Sequence, residues 1–558
     1  MASAPNCFKF PTLPLSCQPD WRKASFGGLE TGSPLTDWMI KSPPPCFIDN
    51  KTILIYYTTM DGYILGIDIG TTSVKAVLIS SDGHIVDSSN VPHNLVSLHP
   101  NWAEEEADIW WDGAISAVDR LCRGNADEMK QLKCIGCSGM VPAIVMLDEA
   151  GRPVRNTIQQ NDARALKQIK FTTETLDQQR LYERTGGTTN QQHIIPRLLW
   201  VKENEPETWS RTKTVMGSYD YIIFKLTGVK SLEINWAIES GCFDIYTQRW
   251  IYDDLEKVGI DASLLPPVNE SMRVVGETRQ VIDGLPAGVP VIAGSADHVA
   301  STLAAGIVNT GDLLIKFGGA GDILFCVDQI QTSRKLFFDY HVVPERYLLN
   351  GCMAASGSLV KWFVNDIIGC DDPHVFAMLD AEAAAVSAAS DGLVILPYFL
   401  GEKTPIFDPS ARGVMFGLTL AHTKAHIFRA ILECVIYGFR HHIEVFQEMG
   451  CEPERILATN GGAKSKMWCQ IAADILGKPV CSFPSHPGSA LGVAFLAGKS
   501  VGVFLEWDDI RMFLSDSQVY APCEKNVMIY NKAYQIYRDL YRQLSDSFKA
   551  VQTIYNDN

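Results

Sequence analysis

The chain has 558 residues, more than a single hydrophobic core usually serves, so we expect two lobes and an appendage. Hydrophobic residues make up 46% of it and charged residues 20%, which is an ordinary globular composition, and the net charge is -16. No cluster of Lys and Arg stands out, which argues against nucleic acid and anionic membranes as partners, and no apolar run is long enough to span a bilayer.

The first 60 residues differ in composition from the rest of the chain. They are rich in Pro, contain several Ser, and show neither helical nor strand periodicity. A plastid transit peptide has this Ser-rich character. Such segments are poor in acidic residues, however, and this one contains Asp20, Glu30, Asp37 and Asp49. The alternatives are a disordered tail or an aberrant start of the chain.

The segment 65–79 is predicted to form a strand, a tight polar turn and a second strand. The residues of the turn are Gly70, Thr71, Thr72 and Ser73, and Asp68 precedes them. Glycine lets backbone amides approach an anion, hydroxyls add donors, and a carboxylate can hold a cation or a bridging water beside a phosphate. The pattern indicates a phosphate-binding hairpin, and it is not a Walker P-loop because no Gly-Lys-Ser/Thr opens a following helix. An ordinary hairpin with a Gly-Thr turn is the alternative.

Hydrophobic periodicity predicts further elements along the chain. An amphipathic helix is predicted for 104–121, with an apolar face formed by Trp110, Ala114, Ala117, Val118 and Leu121. Other predicted elements are helices at 250–258, 381–389 and 426–449, a loop at 185–190 and a buried strand at 393–400. Near the end, helical spacing places Tyr530, Tyr534, Tyr537 and Tyr541 on one face, and we interpret this as a closing helix that packs onto the body.

The fifteen cysteines form no framework spacing and their number is odd, which is typical of a reducing compartment. Cys134 and Cys137 have CxxC spacing, but no second pair follows at zinc-ribbon distance, so we interpret them as structural thiols in a strand. The histidines have no ligand spacing with an acid or a cysteine and are interpreted as core or surface residues. They include His193, His298, His441 and His442.

An apolar strand at 291–296 ends in small residues and is followed by Asp297. An acid at the end of a buried strand is well placed to act as a base in a cleft. The alternative is that Asp297 caps a helix that starts at His298.

The segment 313–325 repeats the architecture of the first hairpin, with Gly318, Gly319 and Gly321 in and beside its turn. Two such hairpins far apart indicate an internal duplication, with nucleotide phosphates held between two lobes. Later, a strand at 456–460 leads into Gly461 and Gly462 at a helix N-terminus, where free amides would meet an α-phosphate or a ribose.

In these segments the chain resembles the FGGY carbohydrate kinases, from about Tyr63 to about Gly498. Its motifs occur in the order of the family. They are the first hairpin, Trp102-Ala103-Glu104 with Trp110-Trp111, Gly401-Glu402-Lys403-Thr404-Pro405 with 408–413, and 460–465 with Trp468. Within the family the chain is most similar to the D-ribulose kinases of plants and cyanobacteria. Because the resemblance begins only near Tyr63, we favour a transit peptide, and the chloroplast stroma over the cytoplasm.

The resemblance implies an α/β, two-lobed actin-like ATPase (ribonuclease H-like) fold with the active site in the interlobe cleft. Residues 61–306 are expected to form the N-terminal sugar-binding lobe, and 307–558 the C-terminal nucleotide-binding lobe with its closing helix. The implied activity is that of an ATP-dependent sugar kinase that binds a small sugar and MgATP. The oligomeric state is left open.

Residue roles also follow from the resemblance. Asp297 would be the catalytic base that takes the proton of a primary hydroxyl as it attacks the γ-phosphate. Asp68 would orient the sugar or a Mg²⁺-bound water. The other expected sugar contacts are Thr72, Ser73 and Ser138. The residues expected to bind ATP are Gly70, Thr71, Thr72, Gly318, Gly319, Gly321, Gly461, Gly462, Ala463 and Lys464.

Two departures from the family bear on this interpretation. The second hairpin has Ala320 where the family usually carries a Thr or Ser, so we expect phosphate contacts there from backbone alone. The sugar loop is Ser138-Gly139-Met140-Val141-Pro142-Ala143, whereas xylulose kinases of the bacterial type have Ser-Gly-Gln-Met-His-Gly. This loop offers fewer polar side chains, which favours D-ribulose as the substrate and leaves D-xylulose and deoxyxylulose as alternatives.

A function of another class is a non-catalytic actin-like pseudokinase that serves as a scaffold. The missing loop hydroxyl would suit it, whereas the retention of both Asp68 and Asp297 argues against it. Asp162 and Arg164 match the Asp-x-Arg of the family, but a structural salt bridge explains them about as well.

Overall fold

The architecture comes from a computed structural model that describes residues 61–94, 99, 102–370, 372, 374–483, 488–514 and 517–556. The transit-peptide prediction for residues 1–60 lies outside this part of the chain. Among the residues described, no helix is both long enough and apolar enough to cross a membrane.

The N-terminal half contains one large sheet, several two-stranded sheets and the helices around them. Its strands are β1 (Tyr63–Ile69), β2 (Ser73–Ser80), β3 (Ile85–Pro92), β4 (Glu104–Glu105), β5 (Leu132–Gly139), β6 (Val145–Leu147), β7 (Thr157–Ile158), β8 (Thr214–Met216), β9 (Leu232–Glu233), β10 (Phe243–Asp244), β11 (Arg249–Trp250), β12 (Val268–Asn269), β13 (Val274–Glu277), β14 (Pro290–Ile292) and β15 (Ser295–Ala296). Its helices are α1 (Ala107–Gly124), α2 (Ala126–Met129), α3 (Leu166–Thr175), α4 (Gln178–Thr185), α5 (Ile194–Asn204), α6 (Pro206–Arg211), α7 (Ser218–Thr227), α8 (Ile234–Glu239), α9 (Tyr252–Val258) and α10 (Asp297–Ala304).

The C-terminal half is built around a second sheet. Its strands are β16 (Asp312–Phe317), β17 (Gly321–Val327), β18 (Phe337–Tyr340), β19 (Tyr347–Met353), β20 (Val394–Leu396), β21 (Val414–Phe416), β22 (Arg455–Thr459), β23 (Val480–Ser482) and β24 (Gln518–Tyr520). Its helices are α11 (Gly357–Trp362), α12 (Val375–Ala384), α13 (Lys424–Glu448), α14 (Lys466–Leu476), α15 (Ser489–Ser500) and α16 (Glu524–Asn556).

The two sheets have the same strand arrangement, as an internal duplication requires. The first has the order β3-β2-β1-β5-β14-β13, with β15 also beside β5, and the second has the order β18-β19-β17-β16-β22-β23-β24. In each sheet a hairpin precedes two parallel strands and an antiparallel edge strand. The two hairpins predicted from the sequence, β1–β2 and β16–β17, therefore occupy equivalent places.

Parallel pairing in the first sheet positions three polar residues. β1 is parallel to β5 and pairs Asp68 with Ser138. β15 is also parallel to β5 and pairs Ser295 with Ser138, just before Asp297 begins α10. Because the carboxyl ends of parallel strands meet at one edge of a sheet, Asp68, Ser138 and Asp297 lie together.

Helix α15 returns to the first sheet, although it lies in the segment 307–558 expected to form the second lobe. It packs on β1, β5 and α10. The approach is close enough to require glycine: a Cβ at Gly66 would lie 2.1 Å from the Ala490 carbonyl oxygen, and one at Gly136 would lie 2.4 Å from that of Val493. The N-terminus of α15 is thereby fixed beside the edge that carries Asp68.

Several element boundaries differ from the sequence prediction for identifiable reasons. Helix α1 begins at Ala107 because Glu104–Glu105 pairs with Thr157–Ile158 as a short strand. Helix α9 begins at Tyr252 because Arg249–Trp250 forms another short strand. The strand predicted at 393–400 is only Val394–Leu396, since Pro397 cannot donate to a ladder. The Ala-rich helix is shifted to Val375–Ala384.

The tyrosine stripe packs onto the body, as predicted. Tyr530, Tyr534 and Tyr537 of α16 are fully buried, and all three rings contact the ring of Tyr437 on α13. The closing helix therefore completes the second core.

Candidate functional site

The first hairpin ends in a tight turn at the mouth of a cleft. The Gly70 N–H donates to the Ser73 carbonyl oxygen at 3.0 Å, and the Thr72 carbonyl accepts from the His93 N–H at 2.9 Å. Thr71 and Ser73 are half-buried and Thr72 is exposed, so the turn presents hydroxyls and amides toward solvent. These are the groups that a phosphate or an attacking hydroxyl would meet.

Asp68 is a buried carboxylate at this edge of the sheet, with 6% of its surface exposed. Its Oδ1 accepts a hydrogen bond from Ser138 Oγ at 2.8 Å. Burial, followed by the negative charge of Asp297, raises the pKa of Asp68 to about 6, while hydrogen bonds from Ser138 and Ser489 and the charge of Lys75 oppose the shift. The structure thus brings Asp68, Ser138 and Asp297 together, and adds Ser489 of α15, which the sequence did not suggest.

Asp297 is the first residue of α10, and Ala296 is the N-cap, so the helix starts one residue before the predicted start at His298. The Asp297 side chain is 32% exposed. Its Oδ1 accepts the His298 backbone N–H at 2.6 Å, which fixes the carboxylate. A carboxylate in this position can accept a proton from a bound hydroxyl.

His298 was interpreted from the sequence as a core or surface residue with no identifiable acidic partner, and the structure places its ring between two acids. Its Nδ1 lies 3.5 Å from Asp297 Oδ1, and its Nε2 lies 3.1 Å from Asp339 Oδ1 on β18. Although burial opposes protonation, the charges and hydrogen bonds of Asp339 and Asp297 hold the pKa of His298 well above its usual value. The three residues are distant in the sequence or lack a recognisable spacing, so no local signal marked them.

Lys316 is a second cation in the cleft that the sequence reading missed. It lies on β16, two residues before the turn, and is paired across the hairpin with Asp322. Its Nζ lies 3.3 Å from Asp322 Oδ2 and its side chain is only 12% exposed. Burial acts against the charge, but Asp322 and then Asp297 raise the pKa of Lys316. The second hairpin therefore carries a buried ammonium in addition to its backbone amides.

The second hairpin turn lies against the start of α11. The Gly318 carbonyl accepts the Gly357 N–H at 2.7 Å, and the Gly319 carbonyl accepts the Ser356 N–H at 2.9 Å. Gly318 and Gly319 line the cleft. Gly321 instead is buried under the turn, where a Cβ would lie 3.1 Å from the ring of Phe439. Gly321 is therefore needed for close packing, and Gly318 and Gly319 are the glycines of this turn that line the cleft.

A cleft of about 930 Å³ runs from this turn to the predicted adenosine-binding segment. Phe317 and Trp468 stack on its floor with ring centroids 4.7 Å apart. Gly461, Gly462 and Lys464 line the cleft, as do Lys75 and Gly488 from the opposite side. Ala463 is buried beneath this surface.

Asp380 and Ser465 provide polar groups in the same cleft. Ser465 Oγ donates to Asp380 Oδ2 at 2.6 Å and also accepts the Trp468 N–H at 3.1 Å as the N-cap of α14. Burial raises the pKa of Asp380, so its carboxyl can act as a hydrogen-bond acceptor or donor in this cleft. An apolar stacked floor with a few convergent polar groups is typical of a nucleotide pocket.

The sugar loop offers few side-chain hydrogen bonds. Met140, Val141 and Ala143 are buried. Arg197 Nη1 donates to the Pro142 carbonyl at 3.2 Å, and Trp236 Nε1 donates to the Ala143 carbonyl at 2.9 Å. The side chains of Arg197 and Trp236 thus fix the backbone of the loop. Ser138 is the residue through which the loop contacts Asp68.

The Asp-x-Arg pair and the CxxC pair noted in the sequence lie in buried surroundings that explain them as structural residues. Arg164 forms ion pairs of 2.6 Å with both Asp162 and Glu104, and its guanidinium lies over Trp102, so the Asp-x-Arg match is a buried salt bridge. Cys134 and Cys137 are buried on β5, three residues apart, and their side chains therefore point to opposite faces of the sheet. Over the described part of the chain, no group of three or more His, Cys, Asp or Glu could hold a metal ion.

Comparison with known proteins also divides the chain into an N-terminal and a C-terminal domain. Residues 63–304 match the N-terminal domain of the FGGY family of carbohydrate kinases, and residues 334–501 match its C-terminal domain. Xylulose kinase of Bacillus subtilis is 29% identical over 88% of this chain and 99% of its own length. Xylulose kinase of Lactococcus lactis is 30% identical over 89% of this chain and 99% of its own length.

A solved structure is similar over most of the chain. The crystal structure of xylulose kinase from Rhodospirillum rubrum has a TM-score of 0.83 and 38% sequence identity. It covers 87% of this chain and 100% of its own length. The two-lobed α/β fold predicted from the sequence is therefore confirmed.

Proposed function

The chain belongs to the FGGY family of carbohydrate kinases, and we propose that it transfers the γ-phosphate of ATP to the terminal primary hydroxyl of D-ribulose. It is an ATP-dependent sugar kinase, and the product of the proposed reaction is D-ribulose 5-phosphate. The observation that supports the site most strongly is that Asp68 and Asp297 lie near each other, with a glycine-containing hairpin in each half of the chain.

In the proposed reaction Asp297 accepts the proton of the sugar hydroxyl as that oxygen attacks the γ-phosphate in line. Asp68 and Ser138 position the sugar, and Thr72 and Ser73 meet the attacking hydroxyl or the transferred group. Gly70 and Thr71 in the first turn, and Gly318 and Gly319 in the second, contact the phosphates. Closure of the cleft excludes water, which would otherwise compete with the sugar as the nucleophile.

The residues present fit a magnesium ion that arrives with ATP. Asp68 uses Oδ1 to accept from Ser138, and its second oxygen is a hard donor that can accept a hydrogen bond from a metal-bound water. Mg²⁺ would neutralise charge on the β- and γ-phosphates when bound. Lys75 and Lys316 add fixed positive charge on the two sides of the cleft.

The buried apolar sugar loop supports D-ribulose as the preferred acceptor. D-Ribulose and D-xylulose differ at one carbon, so discrimination depends on whether a protein group pairs with that hydroxyl. Met140 and Pro142 stand where the bacterial xylulose-type loop carries Gln and His, and they provide no such pairing. We therefore expect a modest preference, of about a hundredfold or less, together with some uncoupled ATP hydrolysis.

D-Xylulose is the second candidate, and the names of the similar proteins favour it. Deoxyxylulose remains a variant of this alternative. A pseudokinase scaffold is the alternative of another class, and the acid pair argues against it, because a decayed site need not keep both Asp68 and Asp297.

The deciding experiment measures ADP release by the purified protein with D-ribulose, D-xylulose, deoxyxylulose, ribitol and glycerol. A higher kcat/KM for D-ribulose than for D-xylulose supports the proposal, whereas the reverse order makes the protein a xylulose kinase. No stimulation by any sugar would favour the pseudokinase. The variant Met140→Gln should move the ratio toward D-xylulose, and Met146→Gln, at a buried methionine on β6, is the control for a general packing effect.

We also propose that residues 1–60 direct the protein to the chloroplast stroma. The support is their Ser- and Pro-rich composition and the start of the family match at residue 63. The cytoplasm is the alternative. A reporter fused to this segment distinguishes the two locations.

A further inference from the structure

We propose that His298 is a positioning residue for phosphoryl transfer, because its imidazole bridges Asp297 and Asp339 and so fixes the catalytic carboxylate to the C-terminal sheet. The inference rests on the proposed role of Asp297 as the base. It assigns a function to His298 and Asp339, neither of which contacts the sugar in the arrangement described above.

The bridge joins the two halves of the molecule. His298 lies in the first turn of α10, which belongs to the N-terminal core, whereas Asp339 lies on β18 at the edge of the second sheet. The two ring nitrogens of His298 contact Asp297 Oδ1 at 3.5 Å and Asp339 Oδ1 at 3.1 Å. Asp339 is fully buried, and its Oδ2 accepts from Asn350 Nδ2 on β19 at 3.0 Å. A change in the angle between the halves would therefore move the base.

The two ion-pair contacts favour a cationic ring. A neutral imidazole would turn a lone pair toward one of the two carboxylate oxygens, whereas an imidazolium is attracted to both. Burial of His298 opposes the charge, but its pKa is raised because Asp339 and Asp297 favour the protonated form more strongly.

Other charged groups around the ring favour the same protonation state. The charge of His298 favours the ionised forms of Glu239 on α8 and Asp322 on β17, so both acids in turn favour protonated His298. The cations nearby already have acidic partners: Lys316 is paired with Asp322, and Lys403 acts on Glu239. The acids facing His298 are therefore Asp297, Asp339, Glu239 and Asp322.

A fixed cation beside Asp297 holds its carboxylate in one rotamer. Misplacement of a reacting group by about 1 Å can cost about a hundredfold in rate. The effect acts on kcat, because the adenosine floor around Phe317 and Trp468 lies elsewhere in the cleft.

The test compares variants that keep one arm of the bridge. An amide at this position can replace only one ring nitrogen: Asn approximates Nδ1 and Gln approximates Nε2. We expect both His298→Asn and His298→Gln to lower kcat by about ten- to a hundredfold, with the KM for ATP unchanged. Asp339→Asn should keep the fold while adding a basic limb to the pH profile of kcat, because His298 then loses its proton more easily. His341→Gln is the control, since His341 is buried nearby and burial lowers its pKa to about 4.

A second measurement does not depend on turnover. In the NMR spectrum of the histidine-labelled wild-type protein, the signal missing from His298→Gln should not titrate between about pH 6 and about pH 9. In Asp339→Asn the same signal should titrate within that range. Titration of the wild-type signal near its ordinary pKa would overturn the proposal, as would wild-type kcat with an unchanged pH profile in both amide variants. A separate variant tests the role of Asp297 itself. If Asp297→Asn stays active, Asp297 is not the catalytic base.

Discussion

Asp68 and Lys316 occupy equivalent positions in the two hairpins, two residues before the first turn glycine, and they carry opposite charges. The cross-strand partner of Asp68 is Lys75, and that of Lys316 is Asp322, so the order of acid and base is inverted between the lobes. The two hairpins thus share the same backbone arrangement, but the acidic and the basic residue of the cross-strand pair have exchanged strands. One hairpin places a carboxylate beside Ser138, and the other places an ammonium near Asp297.

The first prediction concerns this ammonium. We expect Lys316→Met to lower kcat by about ten- to a thousandfold, because it removes positive charge from the region where phosphoryl transfer develops negative charge. Lys316→Arg should retain part of the activity. The loss of Lys316 leaves Asp322 without its 3.3 Å partner, so thermal melting is measured in parallel. In Lys316→Met with Asp322→Asn the buried charge is gone, and recovery of full activity by this double variant would contradict a catalytic effect of the lysine.

The second prediction uses the titration of Asp68. Its pKa is raised to about 6, first by burial and then by Asp297, so the carboxylate gains a proton and kcat/KM should fall as the pH drops below that value. Hydrogen bonds from Ser138 and Ser489 hold this pKa down. Ser138→Ala and Ser489→Ala should therefore move the acid limb to higher pH.

The control for that experiment is Ser295→Ala. Ser295 is buried on the neighbouring strand β15, and its hydroxyl donates to the Ala296 carbonyl at 3.1 Å. Its removal should leave the acid limb in place. An acid limb that does not respond to either Ser138→Ala or Ser489→Ala would show that a group other than Asp68 titrates.

The hairpins could be predicted from sequence because their signal is local. Apolar runs on either side of a short turn of small residues specify strand, turn and strand without reference to the rest of the fold. The same holds for the Tyr530 stripe, where the helical period alone identifies the buried face. The acid pair was located because Asp68 lies at the end of one apolar strand and Asp297 directly follows another.

The remaining site residues could not be predicted, since their contacts depend on tertiary structure. Ser489 reaches Asp68 only because α15 returns to the first sheet, and Asp339 reaches His298 only because β18 lies at the edge of the second. Lys316 lies within the predicted hairpin, but the sequence did not indicate its role. The register that places it beside Asp322 and faces it toward Asp297 is a property of the folded cleft.

The third prediction concerns the adenosine floor. A Cβ at Gly462 would lie 2.5 Å from the Trp468 ring and 2.6 Å from Phe317 Cβ, so Gly462→Ala must displace the stacked pair. We expect the Kd for ATP to rise about tenfold with little change in the binding of sugar. Gly461→Ala is a matched control, because nothing lies within 4 Å of a Cβ there. Equal affinities of the two variants for ATP in titration calorimetry would show that the adenine ring does not bind at the Phe317–Trp468 floor.

The fourth prediction tests the catalytic base. Asp297→Asn should lower sugar-dependent turnover by about a hundred- to ten-thousandfold, because the amide cannot accept the proton of the hydroxyl. The amide oxygen can still accept the His298 backbone N–H that Asp297 Oδ1 accepts at 2.6 Å, so the start of α10 should be preserved. ATP binding, measured by calorimetry, is expected to remain at the wild-type level. Turnover close to that of the wild type would remove Asp297 from the mechanism.

The last prediction concerns residues 1–60. Their deletion should leave kcat/KM and the melting temperature unchanged, because the first strand of the central sheet starts at Tyr63 and the family match starts at the same residue. Extending the deletion through Ile69 removes β1, which lies between β2 and β5 in the sheet, and should abolish folding. A large drop in melting temperature for the shorter deletion would show that the segment packs on the body. The same 60 residues fused to a fluorescent protein should carry it into plastids, and a reporter that stays in the cytosol would refute the proposed location.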